Sequence, residues 1–209
     1  MARRVTWILA LGIVALPAAA AAQVYDAPGF QPPDSERGVG FYAVSLDPGT
    51  DVSDDVAALA TWRTPGTDLD LGLRVGAGDV GGDLALLGGV EMERGLTPPG
   101  GDAPLSVAWT GGMGVGTVPE QDAATIRIPV GLTVGREIPA EGYAILPYAH
   151  PRLALDFLVR EDPPTGPGDD TELGFDLDLG ADVVFDEGWR LRVGVTLGGS
   201  EAVGFGVSL

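Results

Sequence analysis

The chain has 209 residues, no cysteine, and 30 acidic against 12 basic side chains, which gives a formal net charge of −18. A protein this acidic repels nucleic acid, and without cysteine it carries neither a disulfide framework nor a lipid anchor on a cysteine. Because 45% of the residues are hydrophobic, the composition is not that of a disordered chain.

The first predicted element is a secretory signal peptide over residues 1–22. Two arginines near the start precede an apolar run from Trp7 to Leu16, and alanines close the segment before Gln23. The run is short for a bilayer span, and its alanine-rich end is typical of a cleavage site. Residues 23–36 contain three prolines and no periodicity, so we predict an extended leader on the periplasmic side.

Residues 37–209 show about ten runs in which large apolar side chains alternate with Gly, polar or charged residues. Period two places successive side chains on opposite faces of a β-strand. In chain order the apolar rows are Tyr42, Val44 and Leu46; Val56, Ala58, Ala60 and Trp62; Leu69, Leu71, Leu73 and Val75; Leu84, Leu86, Val90 and Met92; Leu105, Val107, Trp109, Met113 and Val115; Ile126, Ile128, Val130, Leu132 and Val134; every second residue from Tyr143 to Val159; every second residue from Leu173 to Phe185; Trp189, Leu191, Val193, Val195 and Leu197; and Val203, Phe205, Val207 and Leu209.

Turn residues separate the runs, and no segment of helical length interrupts them. The predicted fold is therefore all-β, a single antiparallel up-and-down barrel over residues 37–209. We expect about ten strands, or eight if weak strands merge. Outside the signal peptide no run is long enough for a transmembrane helix, so a membrane-spanning form would have to be a closed barrel.

Alternation alone does not decide which face points outward, because a soluble barrel that binds an apolar ligand also alternates. Within the predicted strands, charged residues join the large-apolar register only at strand ends, as at Arg94 and Arg136. The opposite face is mainly Gly, Ala, Thr and scattered ions, which suits a narrow lumen. Aromatic residues border the connections at one end, namely Trp62, Tyr143, Phe185 and Trp189. We favour a transmembrane barrel, with a secreted soluble β-barrel binding an apolar ligand as the alternative.

The pattern over residues 37–209 resembles the small bacterial outer-membrane β-barrel proteins of the opacity-protein and porin-like superfamily. The final run, Val203 to Leu209, is similar to the insertion signal of that family, although it ends on Leu where an aromatic residue is usual. The resemblance implies a bacterial outer-membrane location, contact with outer-membrane lipid and insertion by the barrel-assembly machinery. It further implies a structural or surface-interaction role, or a narrow pore, and no nucleic-acid partner.

We identify no catalytic, cofactor-binding or metal site in the sequence, and we expect no enzyme activity. His150, the only histidine, shares the inward face with Arg152, and we interpret it as a residue that fills the lumen. The glycine run from Gly111 to Gly116 lies inside a predicted strand with no helix after it, which argues against a phosphate loop. The acidic loop from Asp47 to Asp55 lacks the Gly and Glu of an EF-hand.

The register near the end of the chain predicts local geometry. Equal apolar parity on both sides of residues 186–188 requires an odd loop, so we predict a three-residue hairpin with Gly188 at positive φ and Phe185 facing Trp189.

The same register places Asp182 opposite Arg192 on the inward face, with Arg190 diagonal to it. Because unpaired charges in a narrow barrel are costly to desolvate, we predict an ion network that includes Asp176 and Asp178. Open aqueous channels belong to barrels of about sixteen or more strands. We therefore expect no general diffusion pore and a thin water path at most, since the glycines of the inward face leave gaps. The side chains that fill the rest of the lumen are Arg74, Glu91, Arg127, His150, Arg152, Asp156, Arg190 and Arg192.

Overall fold

The computed structural model describes residues 28–33, 38–46, 55–64, 66, 68–97, 104–119, 123–160, 171–199 and 201–209. The predicted signal peptide, most of the leader and the acidic loop near residue 50 lie outside these ranges. Within them, no helix is long and apolar enough to cross a membrane.

The described residues form eleven strands joined by short turns and longer connections. They are β1 (Gly38–Leu46), β2 (Val56–Thr64), β3 (Asp70–Val80), β4 (Asp83–Gly95), β5 (Ser106–Val118), β6 (Ala123–Gly135), β7 (Ile138–Ala140), β8 (Tyr143–Arg160), β9 (Thr171–Phe185), β10 (Arg190–Gly198) and β11 (Ala202–Ser208). The short β7 continues β6 beside β8, since Val134 pairs with Ala149 and Ile138 with Ile145 in one register.

All these strands pair antiparallel with their neighbours, and the sheet closes on itself. Strands β1 to β6 pair in chain order, and so do strands β8 to β11. The pairings of β1 with β11 and of β6 with β8 close the ring. With β6 and β7 counted as one, the described chain is a closed ten-stranded barrel. The predicted all-β, antiparallel, up-and-down barrel of about ten strands is confirmed.

Most large apolar side chains of β3 to β11 point away from the barrel interior, and the buried exceptions are Val80, Leu87, Val118, Leu146 and Tyr148. Val193 is 53% exposed, and the outward apolar residues of the neighbouring strands, such as Leu179 and Phe205, are also exposed. The alternate positions carry buried Thr, Arg, Asp and Glu side chains. The soluble-barrel alternative required the apolar register to surround a cavity. The structure contradicts that alternative, because the apolar register is on the outside.

The orientation of β1 differs from the prediction. Tyr42 and Val44 were expected on the outward face, but they are 5% and 2% exposed and point inward, while Phe41 is 61% exposed. Both faces of β1 carry apolar residues, so alternation gives little contrast there. The third residue of the predicted row, Leu46, has its side chain outside the described set.

The turn between β9 and β10 has the predicted geometry. Gly188 has φ +91°, and its amide donates to the Phe185 carbonyl at 2.9 Å. The Phe185 amide donates to the Trp189 carbonyl at 3.0 Å, which leaves a three-residue loop. The rings of Phe185 and Trp189 stack with centroids 3.8 Å apart and planes 9° from parallel. The register at this end of the chain is therefore confirmed.

Candidate functional site: the charged lumen

The barrel interior holds a concentrated set of opposite charges. In the part of the chain that the structure describes, six arginines and six carboxylates point inward: Arg63, Arg74, Arg127, Arg152, Arg190 and Arg192, with Glu91, Glu93, Asp156, Asp176, Asp178 and Asp182. Removing a charge from water costs several kcal/mol unless a partner and hydrogen bonds replace the solvent. The geometry of the pairing therefore decides whether this interior is stable.

The pair of Arg192 and Asp182 is the best aligned. These residues are direct partners across β10 and β9. Arg192 donates from Nε to Asp182 Oδ1 at 2.6 Å and from Nη2 to Oδ2 at 2.5 Å, so the contact is bidentate. Arg190 lies diagonally, with Nη1 4.0 Å from Asp182 Oδ2. The predicted cross-strand pair is confirmed.

Two further carboxylates of β9 bind arginines from other strands. Arg127 on β6 donates from Nη2 to Asp176 at 2.5 Å, and its Nη1 lies 3.4 Å from Asp156 on β8. Arg152 on β8 lies with Nε 2.9 Å from Asp178 Oδ2. Asp176 and Asp178 therefore belong to the predicted network, which extends over four strands from β6 to β10.

A second group of charges lies on the opposite wall. Arg63 on β2 donates to Glu91 Oε2 on β4 at 3.1 Å and lies 3.9 Å from Glu93. Arg74 on β3 forms an ion pair with the other oxygen of Glu91. Glu91 thus lies between arginines of two strands. Both carboxylates of this group, Glu91 and Glu93, have an arginine partner.

Thr110, His150 and Asp178 form a hydrogen-bonded chain that the sequence analysis missed. Thr110 Oγ1 lies 2.7 Å from His150 Nε2, and His150 Nδ1 lies 3.0 Å from Asp178 Oδ2. Since a carboxylate can only accept, Nδ1 donates to Asp178, and in the neutral imidazole Nε2 accepts from the Thr110 hydroxyl. Thr196 also donates to Asp178 at 2.7 Å.

The order hydroxyl, imidazole and carboxylate is that of a nucleophile, a base and an orienting acid. Here the hydroxyl belongs to a residue only 1% exposed, and Asp178 is already engaged by Thr196 and Arg152. The arrangement therefore cross-links β5, β8, β9 and β10. In this state no substrate reaches the hydroxyl, which agrees with His150 as a residue that fills the lumen.

Residues 28–33, which we call the inner segment, lie inside the barrel. All six residues are buried, and the Phe30 ring stacks on Tyr42 of β1 with centroids 4.4 Å apart. Arg192 Nη1 donates to the Phe30 carbonyl at 2.8 Å, and Arg74 Nη2 approaches the Gly29 carbonyl at 3.5 Å. The sequence predicts an extended periplasmic leader over residues 23–36, and the part of it that the structure describes, residues 28–33, lies in the lumen.

Two small cavities lie beside the inner segment. One cavity of about 50 Å³ lies between Phe30, Arg63, Arg190 and the end of β11, and another of about 30 Å³ lies beside Gly29 and His150. Each has room for a few water molecules, at roughly 10–15 Å³ per water. Among the described residues, no three His, Asp or Glu side chains converge as metal ligands.

Comparisons with known proteins bear on the fold alone. No protein-family model matches the sequence, and no curated protein matches it. Among solved structures, the chain is similar to a porin, KdgM, with a TM-score of 0.39 and 9% identity over 82% of this chain and 97% of that one. It is also similar to Ail, the attachment invasion locus protein of Yersinia pestis, with a TM-score of 0.28 and 9% identity over 83% of this chain and 97% of that one. The functional argument therefore rests on the residues of this chain.

Proposed function

We propose that this chain is an integral β-barrel protein of the bacterial outer membrane, with a filled lumen and a structural or surface-interaction role. The observation that carries the proposal is the orientation of the barrel wall. Large apolar side chains cover its outside, while arginines and carboxylates are paired inside. A soluble protein with this surface would expose apolar area far beyond the usual few hundred Å² patch.

The backbone supports the same environment. In hydrocarbon every backbone amide and carbonyl needs an internal partner, and a closed barrel supplies one along every strand. Trp62 and Tyr143 are partly exposed at the barrel end that also carries the Phe185 and Trp189 stack. Aromatic residues at that height suit a membrane interface. The predicted signal peptide over residues 1–22 would deliver the chain for insertion by the barrel-assembly machinery.

The membrane location is tested by a single-cysteine experiment, since the chain has no native cysteine. Val193→Cys, labelled with an environment-sensitive fluorophore in reconstituted vesicles, is expected to be quenched by a lipid with a nitroxide on its acyl chain. A label at Glu187→Cys in the β9–β10 turn serves as the control and is expected to respond to aqueous iodide. Iodide quenching at Val193→Cys without lipid quenching would contradict the proposal.

The filled lumen supports a barrel without porin-like permeability. The ion pairs, the Thr110 chain and the inner segment share an interior that is only moderately wider than that of an eight-stranded barrel. Liposome swelling with a small sugar is expected to stay near the rate of empty liposomes, far below that of a barrel of about sixteen strands. Rapid swelling would contradict the filled lumen. We interpret the described Thr110, His150 and Asp178 chain as structural, since the Thr110 hydroxyl belongs to a residue that is only 1% exposed.

A further inference from the structure

We propose that the lumen contains a binding site for an uncharged, proline-containing peptide without regular secondary structure. The inner segment occupies this site in cis, and its departure opens a narrow water path. This inference rests on the proposed closed membrane barrel and adds a ligand and a switch to it.

The first support is the shape of the wall beside the inner segment. A Cβ atom at Gly204 of β11 would lie 2.6 Å from Phe30 Cζ, and one at Gly194 of β10 would lie 3.2 Å from Pro28 Cβ. A side chain at Gly204 would therefore collide with the segment, and one at Gly194 would crowd it. The wall has a recess because these positions lack side chains.

The second support is the chemistry of the contacts. Arg192 and Arg74 direct guanidinium groups at main-chain carbonyls of Phe30 and Gly29, and Tyr42 stacks on the Phe30 ring. The inner segment forms no helix or strand, so the carbonyls of Gly29 and Phe30 are open to such donors. Aromatic surfaces that receive proline-containing chains are a recurring mode of peptide recognition.

The third support is that the barrel is complete without the inner segment. All strand pairings close the ring through β1, β11, β6 and β8, and the segment contributes no strand. If the Phe30 and Gly29 carbonyls moved away, Arg192 would still be paired with Asp182 and Arg74 with Glu91. Neither guanidinium would lose its carboxylate partner. Phe30 has φ +36°, a strained conformation for a residue with a side chain, and release would relieve it.

The test compares ion flux through vesicles that contain the full mature chain with flux through a variant lacking residues 23–33. The full chain is expected to be closed, and the deletion is expected to raise flux at least about tenfold, as a cleared but narrow lumen would. A synthetic peptide of residues 28–33 with blocked ends, added to the deletion variant, is expected to bind and restore closure. The same peptide with Phe30→Ala is expected to do neither.

Gly29→Val in the full chain gives a second route that leaves the leader in place. A Cβ at Gly29 would lie 2.6 Å from both His150 Nδ1 and Asp178 Oδ2, so the segment cannot seat fully. We expect flux between those of the full chain and the deletion. Gly174→Val on β9, where a Cβ has no neighbour closer than 4.0 Å, is the matched control and is expected to stay closed.

The outcomes separate the two proposals. A full chain that is already open would contradict the filled barrel of the proposed function. A closed full chain, with a deletion variant and Gly29→Val that are equally closed and a peptide that does not bind, would overturn the inference alone. Heat-dependent mobility in detergent gels shows whether each variant has formed its barrel. If the deletion variant forms no barrel, the flux through Gly29→Val tests the inference instead.

Discussion

Arg192 and Asp182 are direct partners on neighbouring strands, and inside the barrel the guanidinium donates to both carboxylate oxygens at 2.5 and 2.6 Å. Arg192 also donates to the hydroxyl of Tyr42 at 3.2 Å and to the Phe30 carbonyl at 2.8 Å. One guanidinium thus joins the ion network of β9 and β10 to β1 and to the inner segment. The stability of the interior should depend on it strongly.

Asp182→Asn is expected to destabilise the barrel by about 3–5 kcal/mol, because it leaves Arg192 buried without its carboxylate. Urea unfolding in lipid vesicles, followed by tryptophan fluorescence, measures the change. Asp186→Asn in the exposed turn removes an equal charge and is expected to stay within about 0.5 kcal/mol. Equal effects of the two substitutions would mean that the bidentate pair contributes nothing.

Gly188→Ala is expected to cost about 1–2 kcal/mol, since a side chain at φ +91° clashes with the following carbonyl. The same unfolding assay applies. Glu187→Ala, in the same loop, is expected to be near neutral. A neutral Gly188→Ala would show that the turn accepts another conformation.

Thr110→Val is expected to destabilise the barrel by about 1–3 kcal/mol, because it removes the hydroxyl bonded to His150 and leaves a buried ring nitrogen unsatisfied. Thr133→Val on the neighbouring strand is the matched control. Its hydroxyl is buried without a hydrogen-bond partner among the described residues, so we expect a neutral or stabilising effect. The opposite ranking in unfolding experiments would contradict the Thr110 assignment.

Val193→Arg is expected to cost about 2–4 kcal/mol in vesicles, whereas Leu173→Arg is expected to cost about 0–1 kcal/mol. Both residues face outward. Ala181, the partner of Val193, is four residues or about 13 Å along β9 from Phe185 at the aromatic end, whereas Leu173 is twelve residues or about 40 Å from it. In the proposed membrane orientation, with an apolar band about 25 Å tall, Val193 is near the midplane and Leu173 is at the far edge. Equal costs for the two substitutions would place the lipid band elsewhere.

Most of the barrel wall could be predicted from sequence, because period-two alternation with strong contrast fixes the face of each residue. Asp182 and Arg192 could be paired in advance because the predicted loop between their strands, residues 186–188, is only three residues long. His150 and Asp178 are also direct partners, but the long connection between β8 and β9 hides their register. To predict the hydrogen-bonded chain of Thr110, His150 and Asp178, the registers of three strand pairs must be known at once, namely β5–β6, β6–β8 and β8–β9.

Two features could not be predicted from the alternation. Tyr42 faces inward, where the Phe30 ring is its stacking partner. Both faces of β1 therefore carry apolar residues, and alternation does not distinguish them. The inner segment itself has no periodicity, and its place depends on a recess that glycines of β10 and β11 create together. Gly29 and Phe30 lie between prolines, and no sequence pattern there predicts a position inside a lumen.

The six inward arginines and six inward carboxylates of the described residues cancel in charge. Among the described residues, the exposed carboxylates of the turns and strand ends, such as Asp79, Asp186 and Glu187, outnumber the exposed arginines and leave an excess of negative charge outside this set. Dissolved salt therefore acts differently on the two sets. At about 0.15 M, ions screen charges beyond roughly 8 Å at the rims and reduce repulsion between neighbouring barrels, while the buried pairs are screened much less. Crowding of barrels in a membrane should accordingly respond to ionic strength at concentrations that leave each barrel intact.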